Sequence, residues 1–138
     1  MEIIPKQAIG PFKFGMTPEE VRASVEEPET YEDWMGGNLN DSILYRGLIL
    51  GFDKYYASGP LPGSKLIEFN VRDRSDASIF GRQFSEWSWL DLKKYLDSAQ
   101  IEFNINRTSS SEMAVDVPAL NLQISFENEN LFSVEGWA

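Results

Sequence analysis

The sequence contains no cysteine and no histidine among its 138 residues, and these two absences remove several classes of function. Without cysteine, disulfide bonds and thiolate chemistry are excluded. Without histidine, a Ser-His-Asp triad, a histidine general base and histidine metal ligands are excluded as well. An ordinary structural zinc site uses one or both of these residue types, so none is expected.

Several motifs of cofactor and membrane proteins are also missing. The loop at residues 59–63 is rich in glycine and proline, but it lacks the Lys-Ser/Thr pair that a phosphate-binding loop needs. No calcium-binding loop is present, and no apolar run approaches the ~18 residues of a membrane helix. The first residues show no basic-then-apolar export signal. We therefore expect a cytoplasmic protein that has no cofactor, no bound metal and no membrane partner.

Basic residues are few, and the resulting net charge of −10 is unevenly distributed. Residues 17–45 carry a net charge of −7 and residues 102–138 a net charge of −5, whereas residues 46–101 carry +1. Nucleic acids and anionic membranes bind basic surfaces, so neither is expected as a partner. A basic protein partner is favoured, because complementary potentials accelerate and orient association. The alternative, that the acidity only improves solubility, stays open.

The densest local signal is the stretch at residues 9–22, which reads IGPFKFGMTPEEVR. Thr17 can cap a helix whose first residue is Pro18, and Glu20 follows the cap by three residues. A second start of this kind lies at Ser88, with Asp91 three residues on. The pattern predicts short helices over residues 18–25 and 89–99, the second with Leu92, Leu96 and Ala99 inward.

Apolar and alternating segments predict the strands. The six predicted strands lie at residues 42–53, 65–72, 101–105, 113–117, 120–126 and 131–137. The first is a near-continuous apolar run, typical of a strand buried on both faces, whereas the second alternates and places Ile67, Phe69 and Val71 on one side. The predicted fold is α+β: one domain over residues 1–138, an antiparallel sheet of about six strands and two short helices on one face.

The two halves of the chain share an order of parts. Phe14 precedes the helix start at Thr17, and Phe84 precedes the one at Ser88. About thirty residues after each cap comes an apolar strand that ends in phenylalanine and is followed by a turn and another strand. An internal duplication of a helix-plus-strands unit would produce this order. Coincidence, which is common among α+β domains, is the open alternative.

Two acidic segments are the candidates for binding a partner. Residues 26–34 combine five carboxylates with two large aromatic residues, and a second acidic group lies near the carboxyl end. Carboxylates pair with lysine or arginine, and an aromatic side chain can anchor such a contact. A solvated loop with one aromatic residue in the core is the alternative. The candidate partner-binding residues are Glu26, Glu27, Glu29, Glu32, Asp33, Trp34, Glu127 and Glu129.

Two other functions remain open at this stage. The first is a small-ligand or carbohydrate-binding domain whose stacking surfaces are Trp34, Trp87, Trp89 and Trp137. The second is a hydrolase that uses a pair of carboxylates from distant segments, for example Glu68 and Glu135. Sequence alone does not give the separation of that pair, and acids on strands are usually solvated.

The opening motif resembles the signature of small bacterial immunity proteins, the cytosolic inhibitors encoded beside polymorphic or contact-dependent growth-inhibition toxins. The matching segments are residues 9–12 (IGPF), residues 14–17 (FGMT), Glu20-Val21, residues 47–52 (GLILGF) and Leu66-Ile67. Residues 15–17 with Glu20-Val21 are also similar to the helix start of an outer-membrane assembly lipoprotein family, whose signal peptide and lipidated cysteine are not found here.

The first resemblance implies a non-enzymatic protein, monomeric when free, that binds a cognate toxin domain. Together with the charge distribution, it predicts that the acidic segments cover the basic active site or substrate groove of the toxin, with a nuclease as the expected target class. Immunity proteins diverge widely, so the contact residues follow from charge and not from the motif.

Overall fold

The structure is a computed structural model that describes residues 1–30, 39–107 and 109–138. These residues form α1 (Pro18–Ala23), α2 (Trp89–Ser98), 3₁₀ turns at Phe84–Glu86 and Pro118–Leu120, and fourteen strands. The strands are β1 (Glu2–Ile4), β2 (Ala8–Ile9), β3 (Phe12–Lys13), β4 (Ser42–Tyr45), β5 (Leu48–Phe52), β6 (Tyr55–Tyr56), β7 (Gly59–Pro60), β8 (Leu66–Arg72), β9 (Ser78–Ile79), β10 (Arg82–Gln83), β11 (Asn104–Arg107), β12 (Glu112–Val117), β13 (Leu122–Glu127) and β14 (Asn130–Trp137).

The main layer is a seven-stranded antiparallel sheet in the order β11-β12-β13-β14-β8-β5-β4. A five-stranded sheet in the order β10-β9-β1-β2-β3 and the small β6–β7 hairpin complete the described strands. Val21 of α1 and Leu92 and Leu96 of α2 belong to the same buried cluster as the inner face of the main sheet. The predicted α+β class, with an antiparallel sheet and two helices on one face, is confirmed. No described helix is long and apolar enough to cross a membrane.

Both predicted helix caps are present. The Glu20 backbone N–H donates to Thr17 Oγ1 at 3.2 Å, and the Thr17 N–H donates to the Glu20 carboxylate at 3.2 Å. At α2 the Asp91 N–H donates to Ser88 Oγ at 3.2 Å. The prediction that Ala99 faces inward is wrong, because Ala99 is the exposed residue at which α2 ends.

The single strand predicted over residues 42–53 is a hairpin, which raises the strand number of the main sheet to seven. Tyr45 pairs with Leu48, and Arg46 and Gly47 make the turn. Gly47 has a φ of +67° and lies against the Arg72 backbone, whose N–H donates to the Gly47 carbonyl at 2.8 Å. The apolar run concealed the turn. The predicted burial of its second half on both faces is confirmed, since all of β5 is buried.

A β-bulge changes the predicted side-chain directions near the start of β8, and a second bulge lies near the start of β14. Phe52 pairs with Leu66 and Gly51 with Glu68, so that Ile67 is the extra residue. Ile67 is therefore exposed, although alternation placed it with the buried Phe69 and Val71. An extra residue in one strand resets the alternation of its side chains, and no period-2 pattern reports such a reset.

The predicted strand over residues 101–105 is also displaced. The Ile101 N–H donates to the Leu96 carbonyl at 2.9 Å and the Gln100 N–H to the Asp97 carbonyl at 3.2 Å. Gln100 has a φ of +58°, so these residues form the terminating motif of α2. Strand β11 begins only at Asn104, lies at the sheet edge and is exposed throughout.

The repeated order of parts predicted from the sequence is present in the structure. The β2–β3 hairpin precedes α1 and the β9–β10 hairpin precedes α2, each with a two-residue turn. The Leu66 N–H donates to the Met16 carbonyl, and the Leu131 N–H donates to the Trp87 carbonyl. Each bulge follows a Phe–Leu pair, Phe52 with Leu66 and Phe126 with Leu131. The two halves meet where β8 pairs with β14, a contact that we call the seam.

The two faces of the main sheet differ in composition. Inner-face residues such as Val71, Val134, Ile124 and Val115 lie in cross-strand register and are fully buried. The opposite face, which we call the outer face, keeps intermediate or full exposure at ten positions on β8 and β12 to β14, most of them polar. These positions are Glu68, Asn70, Arg72, Ala114, Asp116, Gln123, Ser125, Ser133, Glu135 and Trp137.

Replacing Gly136 by alanine tests the packing at the seam. Gly136 lies on the inner face, where an added Cβ would overlap the ring of Phe69 and come within 3.2 Å of Leu122. We expect Gly136→Ala to lower the free energy of unfolding by about 1–3 kcal/mol, because the core must shift to admit the methyl group. Ser133→Ala, on the outer face of the same strand, should change it by less than about 0.5 kcal/mol. Equal urea midpoints for the two variants would contradict this packing.

Candidate functional site

The acidic segment after α1 is bound to the rest of the chain through Arg74. Its guanidinium donates to both carboxylate oxygens of Glu27, at 2.7 and 3.0 Å, and to the carboxylate of Asp76 at 2.9 Å. The same group donates to the Arg46 carbonyl at 3.0 Å. The hydrogen bond from Arg74 lowers the pKa of Asp76. Arg74 therefore joins the acidic segment to the β4–β5 turn.

The other described acids of this segment are more exposed. Arg22 Nε donates to the Glu29 carboxylate at 3.1 Å, with both side chains partly in solvent. The Thr30 N–H donates to the Leu44 carbonyl at 2.9 Å and so places the segment beside β4. Glu26 is exposed and is in none of the ion pairs found among the described residues. Glu26 is thus a free charge, whereas Glu27 and Glu29 are partly neutralised.

The second acidic group forms the β13–β14 turn. Glu127 pairs with Asn130, and the two residues between them, Asn128 and Glu129, both have positive φ, +50° and +67°. This is the geometry of a type I′ turn, which favours asparagine and glycine. Glu129 occupies the position where glycine would be least strained. Glu127 and Glu129 are exposed, so the turn holds two carboxylates in solvent.

The strand directions bring the two acidic groups to the same end of the main sheet. Strand β14 begins beside the end of β8, and the Asp73 N–H donates to the Phe132 carbonyl at 3.3 Å. The β4–β5 turn lies at this end as well, because β5 begins beside the end of β8. We call this surface the acidic rim, and define it by Glu26, Glu27, Glu29, Glu127 and Glu129.

A groove of about 930 Å³ lies on the first half of the acidic rim. Its walls are residues 27–30 on one side and residues 73–76 on the other, with Arg46 between them. A second depression of about 350 Å³ shares residues 73–75 and reaches Leu131 and Phe132 on β14. The two depressions run from the acidic segment towards the β13–β14 turn across the seam.

The remaining predicted contact residues, Glu32, Asp33 and Trp34, lie outside the described residues. Sequence reasoning missed Arg74 and Arg46, which shape the rim. Arg74 lies in a run of alternating charges at residues 72–76, and Arg46 lies within the segment predicted as a single strand. Arg74 could not be matched to Glu27 from the sequence, because 47 positions separate the two residues.

The described tryptophans do not form a common stacking surface. Trp87 is buried, and its indole N–H donates to the Ile79 carbonyl at 3.0 Å. Trp89 packs edge-on against Phe103 and Phe126, with ring centroids 5.7 and 6.0 Å apart. Only Trp137 among the three exposes a large part of its side chain, 41%. Trp87 and Trp89 therefore serve packing and not a carbohydrate platform.

Glu68 and Glu135, the carboxylate pair considered for hydrolysis, lie on adjacent strands across the seam. Glu68 pairs with Trp137, and Glu135 lies two residues before Trp137, so the two acids are diagonal neighbours on the outer face. Burial raises the pKa of Glu68, with smaller contributions from Asp41 and Glu135, and burial also raises the pKa of Glu135. Among the described residues, no group of three acidic side chains is arranged to hold a metal ion.

The raised pKa values of Glu68 and Glu135 give a pH-dependent prediction. A carboxylate whose pKa is raised by folding favours the folded state below its unfolded pKa, and this contribution is lost as pH rises through the folded value. Ionised Glu68 is therefore unfavourable at pH 7, and Glu68→Gln should raise the free energy of unfolding there by less than about 1 kcal/mol.

The gain from Glu68→Gln should vanish below about pH 4, where the glutamate is protonated in both states. Urea unfolding at pH 7 and pH 3.5 measures both values. Glu112→Gln, which removes an exposed carboxylate at the start of β12, is the control. A loss of stability at pH 7, or the same gain at both pH values, would contradict the assignment.

Comparison of the chain with protein-family models, with curated proteins and with solved structures finds no match in any of the three.

Proposed function

We propose that this chain is a non-enzymatic immunity-type protein of the bacterial cytoplasm, a monomer when free, that binds a cognate toxin and neutralises it by occlusion. The observation that carries the proposal is the meeting of the two acidic segments at one end of the main sheet. The resemblance of residues 9–22 and 47–52 to small immunity proteins supports the same assignment. The absence of cysteine and histidine removes the cysteine nucleophile and the histidine general base from the possible chemistry.

The span of the acidic rim fits a protein partner. Strand β13, which leads into the Glu127–Glu129 turn, is four strand spacings from β4, where the first acidic segment lies. At about 4.8 Å for each spacing, the two groups are ~19 Å apart. An interface of ordinary size buries about 800 Å² on each partner, a patch of comparable width. A single partner surface can therefore touch both groups together.

The ion pairs of the rim serve to pre-organise it. The bidentate ion pair between Arg74 and Glu27 holds the acidic segment in place before a partner binds. A surface that is ordered in advance loses less conformational entropy on binding. The strained residue Glu129 holds its carboxylate out from a tight turn, and strained residues of this kind are often found at functional sites.

Occlusion of a basic groove follows from these charges. Glu26, Glu127 and Glu129 carry no ion-pair partner among the described residues, so they can receive lysine or arginine from a partner. In a nuclease, those cations would otherwise contact the phosphates of the substrate. Their complementarity to the rim would speed association and make it sensitive to salt.

Co-expression with the product of the adjacent gene tests the proposal. The wild-type chain should form a complex with that product and restore growth of cells that express it. Glu127→Lys with Glu129→Lys should weaken the complex at least about tenfold, because two attractive contacts become repulsive. The matched control, Glu2→Lys with Glu102→Lys, makes the same charge change at exposed residues outside the rim. The proposed function would be refuted if the wild-type chain formed no complex with that product and did not restore growth.

A further inference from the structure

The carboxylate of Glu68 lies over the backbone of β5 on the outer face. Glu68 pairs with Gly51, and a Cβ built on Gly51 would lie 2.6 Å from Glu68 Oε1. The carboxylate can occupy this position only because residue 51 has no side chain. Asp41 and Glu135 are close enough to Glu68 to act on its charge. Three acids from three segments of the chain thus converge on the end of the sheet opposite the acidic rim.

No described cation neutralises these three acids. None of the ion pairs found among the described residues includes Asp41, Glu68 or Glu135. Arg72, the cation on the same face of β8, is 3.6 Å from the Asp73 carboxylate and 5.2 Å from the ring centre of Phe132. The face therefore offers carboxylates that have no ion-pair partner among the described residues.

Trp137 supplies an exposed aromatic surface at the same place. It is the cross-strand partner of Glu68 and is 41% exposed. Its nearest outer-face neighbours along the sheet are Glu135, two residues before it on β14, and Gln123, which pairs with Glu135 on β13. A carboxylate beside an exposed tryptophan can receive arginine, which pairs with the acid and lies on the ring.

We propose that the outer face of the main sheet is a second interaction surface, which binds an arginine- or lysine-bearing segment of a protein partner beside Glu68, Glu135 and Trp137. Charge complementarity favours a basic occupant. These residues lie on an exposed sheet face and line neither of the two depressions described above, which favours a protein segment, because small-molecule sites are concave. This surface is distinct from the acidic rim, and the inference does not depend on the partner being a toxin.

Titration of the ¹⁵N-labelled full-length chain with a hexa-arginine peptide tests this surface. The indole N–H resonance of Trp137, assigned by its loss in Trp137→Phe, reports binding at the outer face itself. We expect a saturable shift of this resonance. Glu68→Gln with Glu135→Gln should weaken the affinity read from it by at least about fivefold, because the carboxylates that pair with arginine and hold it beside the ring are neutralised.

Glu127→Gln with Glu129→Gln removes the same charge from the acidic rim and is the matched control. It should change the affinity read at Trp137 by less than about twofold, because exposed charges at this distance are largely screened. If either double variant fails to fold, Trp137→Leu replaces it. Binding is then measured from the shift of the Glu135 backbone amide resonance, and Trp137→Leu should also weaken it. No Trp137 shift in the wild-type chain, or equal weakening by both double variants, would overturn the proposal while leaving the toxin-binding proposal untouched.

Discussion

The close packing of Phe69 against Gly136 at the seam is the constraint on which the rest of the fold depends. The ring fills the space above the glycine on the inner face, and it also stacks on Phe14, with ring centroids 5.9 Å apart. Phe14 belongs to the chain that leads into α1, so one contact joins β8, β14 and the first helix. The contact therefore lies where the two halves of the chain join into one sheet with one core.

Both candidate surfaces exist only because the seam is closed. The acidic rim takes Glu27 and Glu29 from the first half of the chain and Glu127 and Glu129 from the second. The outer-face cluster likewise sets Glu68 of β8 beside Glu135 of β14. In the outer-face cluster, acids of like charge on adjacent strands are held near one another by the packing beneath them. The core thereby maintains an arrangement that electrostatics alone would oppose.

How far the sequence predicts this structure depends on whether the information is local. The helix caps at Thr17 and Ser88 were predictable, because a cap is decided within four residues. The turn at Arg46-Gly47 was not, because one glycine in an otherwise apolar segment also fits a continuous strand. The bulge at Ile67 was not, because the alternation of side chains runs through it without a break. The acidic segments were found by counting charges. Two features depend on the order of the strands, which the sequence does not show. One is that both acidic segments lie at the same end of the sheet, and the other is the Arg74–Glu27 ion pair.

The central claim is that the acidic rim binds a protein partner across the seam. Hydrogen–deuterium exchange of the full chain, with and without the product of the adjacent gene, tests it most directly. The account predicts slower exchange in the complex at residues 26–30 and also at residues 127–130, which belong to opposite halves of the chain. A stable complex that leaves both of these segments unprotected, or protects only the outer face, would contradict it.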